Sequence, residues 1–196
     1  MPYVFKFFIS GTLVFEAALV SERCRGITKE GHRCKRMTVI GKGLCYNHLL
    51  KEKNLRIKQS TVRGLGKGLF ALDNNQSRDE IVFKKGEKII EYGGEVLTSE
   101  ELDDRYEDYT APYGLEVNKS KNIYEDGALE RGIGTLCNHS VQKANARFSV
   151  NRNNKVSLVA TKNIKNNSEI FIDYGTDYGF NEPTRHMTKY MSKLKN

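Results

Sequence analysis

Three of the four cysteines fall within 22 residues and lead to a histidine, in the spacing Cys24-x9-Cys34-x10-Cys45-x2-His48. A disulfide framework would not need that histidine, whereas zinc takes four nitrogen or sulfur ligands in a tetrahedron, and two loops closed by a short Cys-x2-His knuckle supply them. The segment has almost no apolar residues for a core, so metal binding must contribute its folding energy. Gly26, Gly31, Gly41 and Gly43 allow tight turns between ligands. The run from Tyr46 to Lys53 starts a helix with His48 on its first turn. His32 is a rival ligand without the Cys-x2-His context, and the alternative to a metal site is three unlinked thiols beside an exposed histidine. Cysteines used in this way point to a reducing compartment, cytosol or nucleus.

The same segment carries the chain's basic character. The net charge is +8, and residues 21–58 alone hold 11 Lys+Arg against 3 Asp+Glu. The remainder is neutral, with residues 87–130 holding 13 acids and 4 bases. Arg23, Arg25, Arg33, Lys35 and Arg36 form a candidate phosphate-contacting patch, the alternative being a solvated basic surface. Residues 1–20 are apolar, but Lys6 and Glu16 limit the uncharged run to nine residues. A spanning helix needs about 20, so no membrane anchor is expected there, and a strand, a hairpin or a leader is.

The body, residues 57–181, opens on Gly64, Gly66 and Gly68. A dinucleotide-binding loop of that kind requires a helix to follow, and the polar run Leu72–Glu80 supplies none. Residues 81–97 read as short strands broken at Gly86 and Gly93-Gly94. Thr98 and Glu101 make a capping box for a helix that places Leu102, Tyr106 and Tyr109 on one face. Residues 147–150, 156–160 and 169–174 are further apolar runs. Many short strands with glycine turns predict a mostly β, irregular domain.

Three ordered stretches carry a resemblance. The run Gly66-Lys-Gly-Leu-Phe-Ala71, with Phe83–Glu87 and Glu91-Tyr-Gly-Gly-Glu95, is similar to the opening of a SET domain. Asn138-His-Ser140 is similar to its Asn-His-Ser motif, and Glu169-Ile-Phe-Ile-Asp-Tyr-Gly175 to its closing motif. The resemblance, strongest to the compact SET proteins of large DNA viruses, implies a SET fold: small sheets closed by a pseudoknot, with short helices. It implies a lysine methyltransferase using S-adenosylmethionine. On it, Tyr174 and Tyr92 are the catalytic tyrosines of the transfer channel. Gly66, Lys67, Gly68, Asn138, His139 and Tyr174 hold the cofactor, His139 mainly through its backbone. Ile172, Tyr113 and Tyr124 are candidate walls of the substrate channel, the two tyrosines equally readable as core. The Cys24–His48 segment resembles the WRC-type Cys3His zinc motif of plant regulators and short motifs of phage and large-virus proteins, with Arg23 before Cys24 in place of the naming Trp.

The sequence departs from the SET pattern in four places. Eleven residues separate Ala71 from Phe83, Val141–Asn145 is one residue longer than the usual Cys-x-Pro-Asn, and Thr135 stands where many members have Arg. No cysteine-rich tail follows; Tyr178, Phe180 and the Lys-rich segment 185–195 of the basic tail 182–196 are candidates to pack across the cofactor, or a solvated tail. The expected organisation is an apolar leader or strand (1–20), a zinc module (21–56), the SET domain (57–181) and the tail. The expected function is lysine methylation of a basic tail, a core histone or nucleosome, in the nucleus or on chromatin (for a viral chain, the host nucleus or a viral factory; otherwise the cytoplasm). DNA is a further partner through the zinc module, and the compact viral relatives suggest a homodimer. The alternatives are a non-histone substrate, ribosomal or viral, and a DNA-binding zinc protein whose SET body is not catalytic.

Overall fold

Runs of two to five apolar residues cannot build one wide sheet, so their burial comes from stacking several small ones. A computed structural model describes residues 3–9, 12–19, 21–38, 43–106, 111 and 113–175. Tyr109, Tyr178, Phe180 and the basic tail lie outside the described residues. β1 (Tyr3–Ile9) and β2 (Thr12–Leu19) form an antiparallel hairpin. Among the described residues no helix is long and apolar enough to cross a membrane.

β3 (Glu22–Arg23) pairs with β4 (Met37–Thr38) and closes the first loop of the cysteine-rich segment. α1 (Tyr46–Lys53) starts after Cys45 and ends at Asn54, whose left-handed φ of 53° lets its N–H bond the Leu50 carbonyl. β5 (Leu55–Gln59) follows at once and pairs with β6 (Lys67–Ala71) from Leu55↔Ala71 to Gln59↔Lys67. Leu49 of α1 joins Leu55, Leu69 and Ala71 in the main core, so the metal-ligand helix and the body bury the same apolar surface. β5 runs continuously through the boundary expected at residues 56 and 57.

β9 (Glu95–Thr98), β10 (Gly114–Asn118) and β11 (Ile123–Asp126) form an antiparallel sheet in the order β10-β11-β9. α2 (Ser99–Tyr106) packs on it. The expected capping box forms, with Thr98 N–H donating to Glu101 Oε2 at 2.8 Å and Glu101 N–H to Thr98 Oγ1 at 3.2 Å. Tyr106 is buried as its spacing predicts, and its hydroxyl donates to Asp126 at 2.8 Å. Arg105 bridges Glu95 and Asp126.

The larger sheet has the order β12-β16-β13-β14-β8, from β8 (Lys88–Glu91), β12 (Asn138–His139), β13 (Ala146–Val150), β14 (Val156–Ala160) and β16 (Phe171–Ile172). β7 (Ile81–Phe83) and β15 (Ile164–Lys165) pair separately. β16 runs parallel to both β12 and β13 and lies between them, although those two are joined directly in sequence. Asn145 pins the crossing: its side chain accepts from Phe171 N–H and donates to the Glu169 carbonyl, and its own N–H reaches the Phe171 carbonyl. This is the implied pseudoknot, and the chain is mostly β with few helices.

Candidate functional site

The four residues of the knuckle spacing converge. One ligand atom from each of Cys24, Cys34, Cys45 and His48 lies within 4.8 Å of the others, and all four residues are buried. His48 Nδ1 is 3.4 Å from both Cys24 Sγ and Cys45 Sγ, and Cys34 Sγ is 4.0 Å from Cys45 Sγ. A zinc tetrahedron with ordinary bond lengths has edges of about 3.8 Å between sulfurs and about 3.6 Å between sulfur and nitrogen, so the donor set fits that ion. His48 Nε2 sits 3.0 Å from the Ile27 carbonyl; its proton goes there, leaving the Nδ1 lone pair toward the sulfurs. In the metal-free cluster, with the His48 ring protonated at Nδ1, burial raises the Cys45 thiol, but the backbone N–H of His48, the Nδ1–H of its ring and the N–H of Asn47 outweigh it and bring it down to about 6. A Cβ at position 26 would collide with the His48 ring, which requires glycine there. Cys137 is buried in the main core, outside the cluster.

Of the basic patch, Arg23 and Arg33 brace the loops. Arg23 donates to the Cys34 and Arg33 carbonyls, and Arg33 to the Cys24 and Arg23 carbonyls. Arg36 and Arg56 each lie 5.0 Å from the centre of the exposed Tyr46 ring.

At the pseudoknot, Tyr174 donates its hydroxyl to the Cys137 carbonyl at 2.5 Å and its N–H to His139 Nδ1 at 3.0 Å. Asn138 donates to the Lys67 carbonyl at 3.2 Å and to Glu169 at 3.0 Å. Glu169 also accepts from Thr61, through both N–H and hydroxyl, at 2.6 Å. Burial works to raise its pKa, but the bonds from Thr61 and Asn138 hold it below the usual carboxylate range. Gly66 takes a φ of +69°. A Cβ on Gly68 would strike Glu169 and Asn138. The expected cofactor residues Gly66, Lys67, Gly68, Asn138, His139 and Tyr174 thus come together around one turn, a glycine cradle with no room for a side chain at position 68.

Beside it lies a narrow cavity of about 30 Å³ lined by Tyr92, Tyr113, Thr135, Cys137, Phe148 and Tyr174, together with Gly114 and Leu115 of β10 and Gly134. Tyr92 donates its hydroxyl to the Tyr113 carbonyl at 2.6 Å and meets Phe148 edge-on at 5.5 Å. Tyr113 therefore lines the cavity with both expected catalytic tyrosines. Ile172 is fully buried in the core, and neither it nor Tyr124 is among the lining side chains. Two buried charged residues at this site carry no motif signal. Arg131 lies 4.0 Å over the Tyr113 ring, and Glu125 accepts from Gly93, Gly94 and Val156 N–H groups.

A family model, the SET domain, matches residues 66–175. The chain is 28% identical over 163 residues to the variant-silencing SET domain-containing protein of Plasmodium falciparum, covering 76% of this chain and 6% of that protein. The polycomb repressive complex 2 of Chaetomium thermophilum is similar in fold, with a TM-score of 0.53 and 24% identity over 65% of this chain and 16% of that one. A structure titled ctPRC2 in an autoinhibited conformation bound to S-adenosylmethionine gives a TM-score of 0.51 and 23% identity over 73% of this chain and 17% of that one. The chain thus spans only a small part of these relatives.

Proposed function

The chain belongs to the SET domain family, whose members are S-adenosylmethionine-dependent lysine methyltransferases, and on that premise we propose that it methylates a lysine in a basic protein tail, a core histone. The observation that carries this reading is the Tyr174 hydroxyl, tied to the Cys137 carbonyl at the wall of a tyrosine-lined cavity next to the glycine cradle. S-adenosylmethionine supplies an electrophilic methyl group, which passes to a neutral amine. A free lysine with pKa near 10.4 is neutral in only about one molecule in 2,500 at pH 7. A narrow channel walled by aromatic rings strips water from the ammonium and favours the neutral form. The residues then have to align the amine, and the backbone-anchored hydroxyls of Tyr92 and Tyr174 hold that alignment. Alignment is worth up to ~7–11 kcal/mol in favourable cases. The turn at Gly66–Gly68, with Asn138 and His139, would hold the cofactor, and no side-chain base is required.

The acidic stretch 87–130 complements a cationic tail, and the basic zinc module suits DNA on the same nucleosome. That pairing supports work on chromatin, in the nucleus. Methyl-labelling of a whole nuclear and cytoplasmic extract tests it: label concentrated in core histones is expected, and label confined to ribosomal or other proteins would overturn the histone substrate.

Two further results follow from the site. Gly68→Ala must push back Glu169 or Asn138, and cofactor affinity measured by calorimetry is expected to fall at least about tenfold. Unchanged affinity would remove the cradle from the reading. Ile172 is set back in the core, outside the cavity lining, and brings no hydroxyl to hold a water or crowd the amine, so exhaustive turnover is expected to yield more than monomethyl-lysine. Mass spectra showing monomethyl-lysine alone would contradict that.

A further inference from the structure

The walls of the tyrosine-lined cavity come from two different sheets. Tyr113 immediately precedes β10, whose first residues lie in the three-stranded sheet, whereas Tyr92 immediately follows β8 and Phe148 stands on β13, both strands of the larger one. Something has to fix the distance between the sheets. Glu125 stands on the central strand of the smaller sheet, opposite Val96 and Leu115, and is 4% exposed. Its Oε1 accepts from Gly93 N–H at 3.0 Å and Gly94 N–H at 2.9 Å, in the turn that follows Tyr92. Its Oε2 accepts from Val156 N–H at 3.0 Å, at the start of β14. Val156 in turn accepts from Tyr92 N–H at 2.9 Å through its carbonyl.

We infer that Glu125 is a positioning residue for Tyr92, its carboxylate clamping the two sheets at the separation that sets the bore of the cavity. The inference rests on the proposed methyl transfer. The chemistry of the donors selects glutamate: both oxygens must accept, so an apolar residue leaves three main-chain N–H groups unmet. Aspartate is too short to reach both sides. Glutamine keeps the volume but turns an NH2 group toward an N–H donor on one of them.

The test compares Glu125→Gln and Glu125→Asp with Ile164→Val, a core substitution in β15 away from the cavity that serves as a control for lost stability. Steady-state transfer to a histone peptide is measured below the melting temperature of every variant, with cofactor affinity from calorimetry and methylation states from mass spectrometry. Both Glu125 variants are expected to lose about tenfold to a hundredfold in kcat and to alter the ratio of mono- to higher methylated product. Cofactor affinity should stay within about twofold, and Ile164→Val should keep both kcat and product ratio. If Glu125→Gln does not fold, Glu125→Asp, which retains the charge, is read in the same way. An active wild type whose Glu125 variants match Ile164→Val would overturn the role of Glu125 alone. A wild type that transfers no methyl group would overturn the proposed function itself.

Discussion

Stripping metal from the zinc-loaded protein with a strong chelator is expected to unfold the Cys24–His48 segment and to lower the melting temperature of the whole chain. Among the described residues, the buried cluster of the segment itself consists of Cys24, Cys34 and Cys45, separate from the main core. Zinc binding in small modules carries an apparent ~10–16 kcal/mol at pH 7, comparable to the ~5–15 kcal/mol that holds a typical domain folded. The effect reaches the body because Leu49, one residue after His48, is buried in the main core with Leu55 and Leu69. Elemental analysis should give one zinc per chain in the wild type and in Cys137→Ser, and far less in Cys34→Ser or His48→Ala. A chelated chain with an unchanged melting temperature would show that the cluster does not hold a structural ion.

Removing one oxygen at Tyr174 is expected to have the largest effect on activity. Tyr174→Phe deletes the bond to the Cys137 carbonyl and the hydroxyl at the cavity wall, while the N–H bond to His139 is kept. The lost bond costs about 1–3 kcal/mol of stability, which a folded domain tolerates. The misaligned amine costs more, about a hundredfold or greater in kcat. Calorimetry should find cofactor binding preserved within a few-fold, so the defect lies in the chemical step. Wild-type turnover in Tyr174→Phe would take this tyrosine out of the mechanism.

Much of this site is legible from residues whose chemistry is local. A Cys-x2-His knuckle needs only a turn to present two ligands, and its two longer loops close as the spacing requires. The capping box at Thr98 and Glu101 likewise depends on residues three apart. The order of motifs locates Tyr174, Asn138 and the Gly66–Gly68 turn, which the fold brings together. What the sequence hides is set by neighbours distant along the chain. Glu125 reads as one more acid in an acidic stretch, and its role exists only where β11 faces the turn after Tyr92. Arg131 acquires a partner only when the chain folds back over Tyr113. Arg23 and Arg33 read as part of a phosphate-contacting patch or a solvated basic surface, yet each braces the other's loop through backbone carbonyls. The closing motif also reads as a longer strand than it forms. Ile170 leaves the larger sheet to donate its N–H to the Leu69 carbonyl, so only Phe171 and Ile172 remain in it.

The direct test of the central claim is transfer of an isotopically labelled methyl group from S-adenosylmethionine by the zinc-loaded full chain to intact nucleosomes, with the modified residue mapped by mass spectrometry. Label on the side-chain nitrogen of a core-histone lysine, lost in Tyr174→Phe, is the predicted result. No label on any histone, or equal labelling by wild type and Tyr174→Phe, would contradict it.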